Sequence, residues 1–308
     1  MKYLNKLKLI FLLAIINCAV INCVKAQHFN IATYNLRYAN HGDSLNGNGW
    51  DQRYPVIANM VQFYGFDIFG TQEGLYHQLQ DLKNNLPHYN YIGIGRDDGK
   101  DAGEHSAIFY NTDKFQLLEH GDFWLSTITD KPNKGWDAVL PRICSWGKFK
   151  ERGTNFVFYF FNLHMDHVGV QARAESAKLI LQKIKEFPAN MPAILTGDFN
   201  VDQHNESYTL VNTSGILKDA FELAPIKLAT SGTFNNFRTT AQTDSRIDHI
   251  FVTKEFTVKR YGILTDNYHG VVNLQNQDST LNNRLNRNSI SARTPSDHFP
   301  VMIEINHK

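Results

Sequence analysis

Short, almost wholly apolar runs, each closed by polar residues, alternate with stretches of helical periodicity along most of the chain. Phe29 to Arg37, Phe66 to Glu73, Asn155 to Leu163, Ala193 to Leu195 and Arg246 to Val252 read as buried strands, with a last one near Pro300 to Ile303. Shorter strands are expected at Tyr89 to Ile94, Ala107 to Tyr110, Phe115 to Leu125 and Ile143 to Phe149. Between them, Val56, Met60 and Phe63 form the apolar side of a helix starting near Pro55, and Leu75, Leu79 and Leu82 mark a second. A third, from Val170 to Phe187, turns Ala174, Ala177, Ile180, Leu181 and Ile184 inward. Ser207 to Asn212 looks helical and is stopped by Gly215; Leu217 to Phe221 looks extended, and Ser231 to Phe234 begins another strand. Asn267 to Thr294 is polar and Asn-rich, carries Arg284, Arg287 and Arg293, and reads as a mobile loop. No repeat or linker divides residues 27–308, so one mixed α/β domain is expected.

The N-terminus changes the picture. Lys2, Lys6 and Lys8 precede a mostly apolar run from Leu9 to Val24, and Val24-Lys25-Ala26 ends in a small residue. This pattern is a secretory signal peptide over 1–26, so the protein is expected to be secreted or periplasmic with no stable membrane insertion of the mature chain. Lipid attachment at Cys18 or Cys23 is the alternative, although Asn17 and Asn22 occupy positions where a small residue is usual. Loss of the four Lys in 1–26 takes the formal net charge from +1 to −3, which gives no bulk attraction for nucleic acid. Cys144 is then the one cysteine left; in Arg142-Ile143-Cys144-Ser145-Trp146 it reads as a buried structural thiol.

Candidate chemistry sits where the apolar runs end. Ile194-Leu195-Thr196-Gly197-Asp198-Phe199-Asn200 places Asp198 and Asn200 just beyond a strand, where ligand sites of α/β sheets gather, although Gly-Asp-Phe-Asn could be only a turn. Asn35 closes the first strand, Glu73 the second, and His164 the aromatic-rich one, where His164-Met165-Asp166-His167 could suggest zinc. Residues three apart on a strand face opposite sides, so His164 is favoured as a phosphate contact. Asp248 is an acid inside an apolar strand and needs a partner, either His298 or neighbouring Arg246. Asp297 and His298 precede the last strand. Trp50, beside the Gly/Asn-rich loop 40–49, could stack on a substrate or anchor packing.

The series Asn35, Glu73, His164, Asp198 with Asn200, Asp248, and Asp297 with His298 resembles the endonuclease/exonuclease/phosphatase superfamily, the group that includes DNase I. Its most specific pieces are Thr-Gln-Glu (71–73), Gly-Asp-Phe-Asn (197–200), Arg-Ile-Asp-His-Ile (246–250) and Ser-Asp-His-Phe-Pro (296–300). The resemblance implies a four-layer α/β sandwich, two mixed sheets face to face with helices outside. It implies Mg²⁺, with Mn²⁺ as a substitute, held by Glu73 with Asn35 and Asp297 close by. Asp198 would align or deprotonate the attacking water, Asn200 and His164 would hold phosphate oxygens, and His298, oriented by Asp248, would stabilise charge on phosphorus. The expected activity is an exported metal-dependent phosphodiesterase or phosphatase acting as a monomer on a phosphorylated small molecule. An extracellular nuclease is the alternative, and a non-catalytic binding module is disfavoured because every catalytic position is filled.

Overall fold

A computed structural model describes residues 28–188, 191–272 and 289–307. The expected signal peptide, Arg284 and Arg287 lie outside the described residues. Among those described, β10 (Ile226–Leu228), β12 (Phe256–Ile263), β15 (Val301–His307), β1 (His28–Asn35), β2 (Ile68–Gln72), β4 (Ile108–Asn111) and β3 (Tyr89–Ile92) form one mixed sheet in that order. The second sheet runs β5 (Phe115–Trp124), β6 (Ile143–Glu151), β7 (Val157–His164), β8 (Ala193–Asp198), β11 (Asp248–Val252) and β9 (Lys218–Asp219).

The sheets pack face to face because their strands alternate between two apolar environments. Phe29, Ile31, Phe158, Phe160, Ile194 and Ile250 fill the space between the sheets. The residues between them point outward. Ala32, Tyr34 and Phe69 pack against α2 (Trp50–Tyr64) and α3 (Tyr76–Asn85), through Ile57, Val61, Leu79 and Leu82. On the other side Phe161, Leu163, Leu195 and Phe251 meet Ile180, Leu181 and Ile184 of α4 (Val170–Glu186) and Val211 of α5 (Glu206–Asn212). Burial on both faces is why these strands read as unbroken apolar runs. The result is a four-layer α/β sandwich.

Near one end the inter-sheet filling turns polar. Gln72 donates to Asn162 Oδ1 at 2.7 Å and to Thr33 Oγ1 at 3.0 Å. Asn162 in turn donates to the Thr71 and Ala107 carbonyls at 2.8 and 3.0 Å, while Thr196 donates to Asn162 Oδ1 at 3.0 Å. The bonds tie β2, β7 and β8 together across the sandwich, and Gly70 leaves room for them, since a Cβ there would collide with Asn162 and Thr196. Asn162→Ala strands several buried donors and acceptors at once. It should lower stability by about 3 kcal/mol, read as a fall in the urea midpoint with an unchanged slope.

Several local expectations give way. Phe63 is 84% exposed, and the inward face of α2 is instead Trp50, Arg53, Ile57, Ala58, Met60 and Val61. Ala172 rather than Ala174 is buried in α4. Leu217–Phe221 is extended only over β9, after which Asp219 caps the one-turn α6 (Ala220–Leu223) through the Phe221 amide. Ser231–Phe234 forms no strand, only an isolated antiparallel bridge from Phe234 to His298. The ends of the 267–294 segment are ordered, with β13 (Tyr268–Val272) pairing antiparallel to β14 (Ser289–Arg293). The strand read over Ala193 to Leu195 runs on to Asp198, so Gly197 lies within β8, where a Cβ would strike the Leu163 carbonyl of β7. The loop 40–49 holds a short helix, α1 (His41–Leu45), capped by Asn40. Trp50 is a packing anchor, buried and donating to Asp81 at 2.8 Å. Cys144 is fully buried, which pushes its thiol well above the ordinary range. No described helix is long and apolar enough to cross a membrane.

Candidate active site

Strand direction decides what meets at the polar end of the sandwich. β1 and β2 run parallel, as do β7 and β8, so Asn35, Glu73, His164 and Asp198 emerge together at their C-terminal ends. β11 and β15 run antiparallel to β8 and β1, so their N-terminal ends arrive at the same edge. Asp248 and His164 each sit directly beside Asp198 in the ladders. The resulting cleft, about 600 Å³, is lined by Glu73, His164, Asp198, Asn200, Asp297 and His298, with Arg37, Glu104, Arg142, His167 and Phe234 around them.

Two devices hold the strand ends in place. Arg53 is completely buried, donating to the carbonyls of Leu36, Asn48 and Pro295 at 2.6, 2.8 and 3.1 Å and to that of Arg37 at 3.0 Å. One side chain thus staples the end of β1 to the Ser-Asp-His segment. Ser296 adds a bond to the Asn35 carbonyl at 2.7 Å. Glu73 has φ +64°, a conformation costly outside glycine that turns its carboxylate off the line of β2. It accepts from Tyr38 N at 3.2 Å and from the Asn35 amide at 3.1 Å.

Asn35 is completely buried and bridges two carboxylates, reaching Glu73 Oε1 and, at 3.0 Å, Asp198 Oδ2. Its own oxygen accepts from Arg37 N at 2.9 Å, so toward the carboxylates Asn35 offers a donor rather than an oxygen. Asp297 lies 3.6 Å from Arg37 Nη1, and burial, reinforced by the charge of Glu73, pushes its carboxyl up. Burial and then the neighbouring Asp248 push Asp198 up to about 7.

Asp248 accepts from or shares a proton with His298 Nδ1 at 2.9 Å, both side chains being buried. Arg246, the competing partner, pairs with Asp219 at 2.9 Å. Burial draws His298 down, but the charge and hydrogen bond of Asp248, with Asp198 and Asp297 beyond, outweigh it and hold the imidazole well above its usual range. His298 is therefore a fixed cation whose Nε2 lies 3.8 Å from Asp198 Oδ2. Ligand atoms of Asp198, Asp248 and His298 come within 4.8 Å of one another, close enough to suggest a cation site. A protonated imidazole already bonded to Asp248 has no lone pair to give, so this trio is an imidazolium set between two carboxylates.

His164 is the opposite case. Burial, then the nearby Arg142 and Arg96, hold it well below the usual range, so it stays neutral. Asn200 donates to its Nε2 at 3.1 Å and to the Met165 carbonyl at 3.0 Å, which engages both amide hydrogens of Asn200 within the protein. With Nε2 accepting, Nδ1 carries the proton and points to Glu104 Oε2, 3.8 Å away. Glu104 is clamped by Arg96 through two bonds of 2.6 and 2.8 Å. Asp166 and His167 do not join His164 in a zinc cage. Asp166 accepts from Arg142 Nε at 3.2 Å, and Arg142 Nη2 meets His167 Nδ1 at 2.8 Å.

The eight residues singled out in the sequence thus converge on one cleft, with Asp248 behind His298. Arg37, Glu104, Arg142, His167 and Phe234 were not among them. Arg142 had left one sign, a cation opening an apolar strand directly after Pro141; Glu104 lies in a turn-rich stretch whose pairing with Arg96 no periodicity reveals.

Residues 32–298 match the model of the Endonuclease/Exonuclease/phosphatase family. Among solved structures, a mannosyl-6-phosphatase of Bacteroides thetaiotaomicron is 58% identical, with a TM-score of 0.84 over 90% of this chain and 99% of that one. A second protein of that organism, described as an endonuclease/exonuclease/phosphatase family protein, is 57% identical, with a TM-score of 0.86 over 92% and 98% of the two chains. The human Nocturnin catalytic domain shares the fold at 16% identity, with a TM-score of 0.65 over 92% of this chain and 95% of that one. Fold, motif order and a family match spanning nearly all the described residues agree that the chain belongs to the endonuclease/exonuclease/phosphatase family of phosphoric ester hydrolases.

Proposed function

We propose that the protein is an exported, Mg²⁺- or Mn²⁺-dependent phosphomonoesterase that removes phosphate from sugar phosphates as a monomer. The observation that carries this reading is the 58% identity to a mannosyl-6-phosphatase along nearly the full length of both chains. A concave cleft of about 600 Å³ suits a phosphorylated sugar, and a chain of formal charge −3 without residues 1–26 has no bulk attraction for a polyanion.

The donor set fits a hard divalent cation. Glu73, Asp198 and Asp297 bring three carboxylates to one cleft, with Arg37 beside Asp297 and His298 beside Asp198. Oxygen donors of this kind suit Mg²⁺ or Mn²⁺, with Glu73 and Asp297 as the holding pair. The ion would supply charge for the non-bridging phosphoryl oxygens and ease deprotonation of water. The chain's own residues do the rest. Asn35 fixes the spacing of Glu73 and Asp198. Asp198 orients the attacking water and takes its proton in this reading. The imidazolium of His298, locked by Asp248, offers an N–H to the phosphoryl group as charge develops.

The test is hydrolysis by the purified mature protein with Mg²⁺. Mannose 6-phosphate should be cleaved with a kcat/KM well above that for bis-(p-nitrophenyl) phosphate, DNA or RNA, and excess EDTA should abolish it. Faster turnover of nucleic acid would replace the proposal with the nuclease reading, and full activity in EDTA would remove the metal. Protein recovered from its source cells should begin at Gln27. Intact Met1 in the cytoplasm would sink export, whereas a diacylated Cys18 or Cys23 would mean a lipoprotein.

A further inference from the structure

Phe234 is out of place by the ordinary logic of folding. It is 42% exposed, although most large aromatics among the described residues are buried. Yet the backbone on both sides of it is tied to the Asp-His-Phe segment. It bridges to His298, Phe299 N donates to Thr233 O at 2.7 Å, and Asn235 N and Asn236 N both donate to Asp297 O, at 2.7 and 3.0 Å. Asn236 and Phe237 then take φ of +51° and +57°, which turns the chain sharply behind it. The Phe234 ring stands edge to face with the His298 imidazole, centroids 5.1 Å apart, and lines the cleft. A rigid aromatic left in water beside the reacting centre spends hydrophobic area that folding does not recover.

A second residue from the other sheet shares this property. His167, in the loop after β7, is exposed and lines the same cleft. Its Nδ1 faces a guanidinium, Arg142 Nη2 at 2.8 Å, and so must accept. The proton of the neutral ring is therefore on Nε2, the nitrogen left for a ligand. Arg142 cannot swing away, because Asp166 holds its Nε, and Asp166 is itself pinned by the Val168 and Gly169 amides at 3.0 and 2.8 Å.

The geometry points to a leaving-group subsite for a pyranose ring, with Phe234 as the stacking platform and His167 Nε2–H as a donor to a sugar hydroxyl. This rests on the sugar-phosphate reading above and extends it to the part of the substrate that does not react. The face of a pyranose carries axial C–H bonds that pack on a π surface, while its rim carries hydroxyls that need fixed donors. A stacking aromatic and a tautomer-locked imidazole meet these two needs. Because both groups touch the sugar rather than the phosphate, their contribution should appear mainly in KM.

The experiment compares mannose 6-phosphate with glycerol 1-phosphate, a monoester without a ring. For Phe234→Ala, the loss in kcat/KM on mannose 6-phosphate should exceed the loss on glycerol 1-phosphate by about tenfold, carried by KM, and Phe234→Trp should restore most of it. His167→Ala should show the same bias by about fivefold, with His167→Gln, which keeps a donor, intermediate. Circular dichroism and the melting midpoint check that each variant folds. Equal losses on the two substrates, or losses in kcat alone, would mean that Phe234 merely steadies His298, and would overturn the subsite. If the wild type cleaves glycerol 1-phosphate but not mannose 6-phosphate, the sugar-phosphate reading has failed. The subsite is then judged by inhibition. Competition by mannose 6-phosphate that weakens in Phe234→Ala supports it, and no competition overturns it.

Discussion

Asp248→Asn and His298→Ala should each lower kcat by on the order of 10³-fold, and the double variant should be within about threefold of the worse single. The two side chains act as one unit. His298 Nδ1 is 2.9 Å from Asp248 Oδ2, both are buried, and no other described carboxylate is hydrogen-bonded to that imidazole. An amide at 248 keeps the shape but removes the charge that outweighs burial, so the ring should lose its proton far earlier. Titration of His298 followed by NMR reads this directly. In the wild type the imidazolium should persist above neutral pH, and in Asp248→Asn the midpoint should fall toward or below the usual value of about 6.5. The sign for stability follows from the raised folded value. The pair's contribution is fully present below the unfolded imidazole's pKa and is lost as pH rises through the raised folded one. Wild-type stability should therefore fall at the alkaline end of that window, and the double variant should lack this component. Fully multiplicative kinetic losses would separate the two residues.

Glu73→Ala should raise the Mg²⁺ concentration for half-maximal activity by at least ~10-fold and lower kcat at saturating metal, since it removes a carboxylate from the proposed ion site. The same change frees the Tyr38 amide and one bond of Asn35. It also leaves alanine at φ +64°, where a side chain is no better tolerated than that of Glu73. A loss of stability alone would come from those terms, so the decisive readout is the metal titration. Glu73→Gln keeps the volume and one of the two hydrogen bonds while removing the charge, since its amide nitrogen cannot accept from the second donor. It should cost about 1–2 kcal/mol of stability through the lost acceptor yet show the same displaced Mg²⁺ curve. An unchanged titration in both variants would take Glu73 out of the metal site.

The candidate residues that come together at the cleft are legible in the sequence, because each interrupts, closes or follows an apolar run. A polar residue at the end of a doubly buried strand is conspicuous against Phe-Asn-Ile-Ala-Thr-Tyr or Ala-Ile-Leu-Thr. The same apolar runs announced strands covered on both sides, and hence a layered α/β fold. Boundaries fared worse where a segment depends on a distant partner. Phe234 looks like a strand residue, but its one partner is the backbone of His298, far along the chain. The ends of 267–294 look like loop because their sequence is polar, yet Tyr268 to Val272 finds its ladder in Ser289 to Arg293.

Near neighbours along the chain settle what is local and periodic: alternating apolar runs, helix faces of 3.6-residue period to within a residue or two, and the polar residues that close the strands. Their mutual roles arise only on folding. His164 and His298 are the same side chain with opposite fates, one neutral beside Arg142 and Arg96, the other a cation among Asp248, Asp198 and Asp297. Asn35 offers its amide nitrogen rather than its oxygen to the carboxylates because Arg37 N claims the oxygen. Arg142 and Glu104 acquire meaning only when β6, β7 and the 96–104 turn bring Asp166, His167, Arg96 and His164 to them. The reason is physical. Hydrophobic periodicity is set by neighbours a few residues away, whereas burial, charge pairing and the direction of a hydrogen bond depend on atoms that only folding brings within a few ångströms.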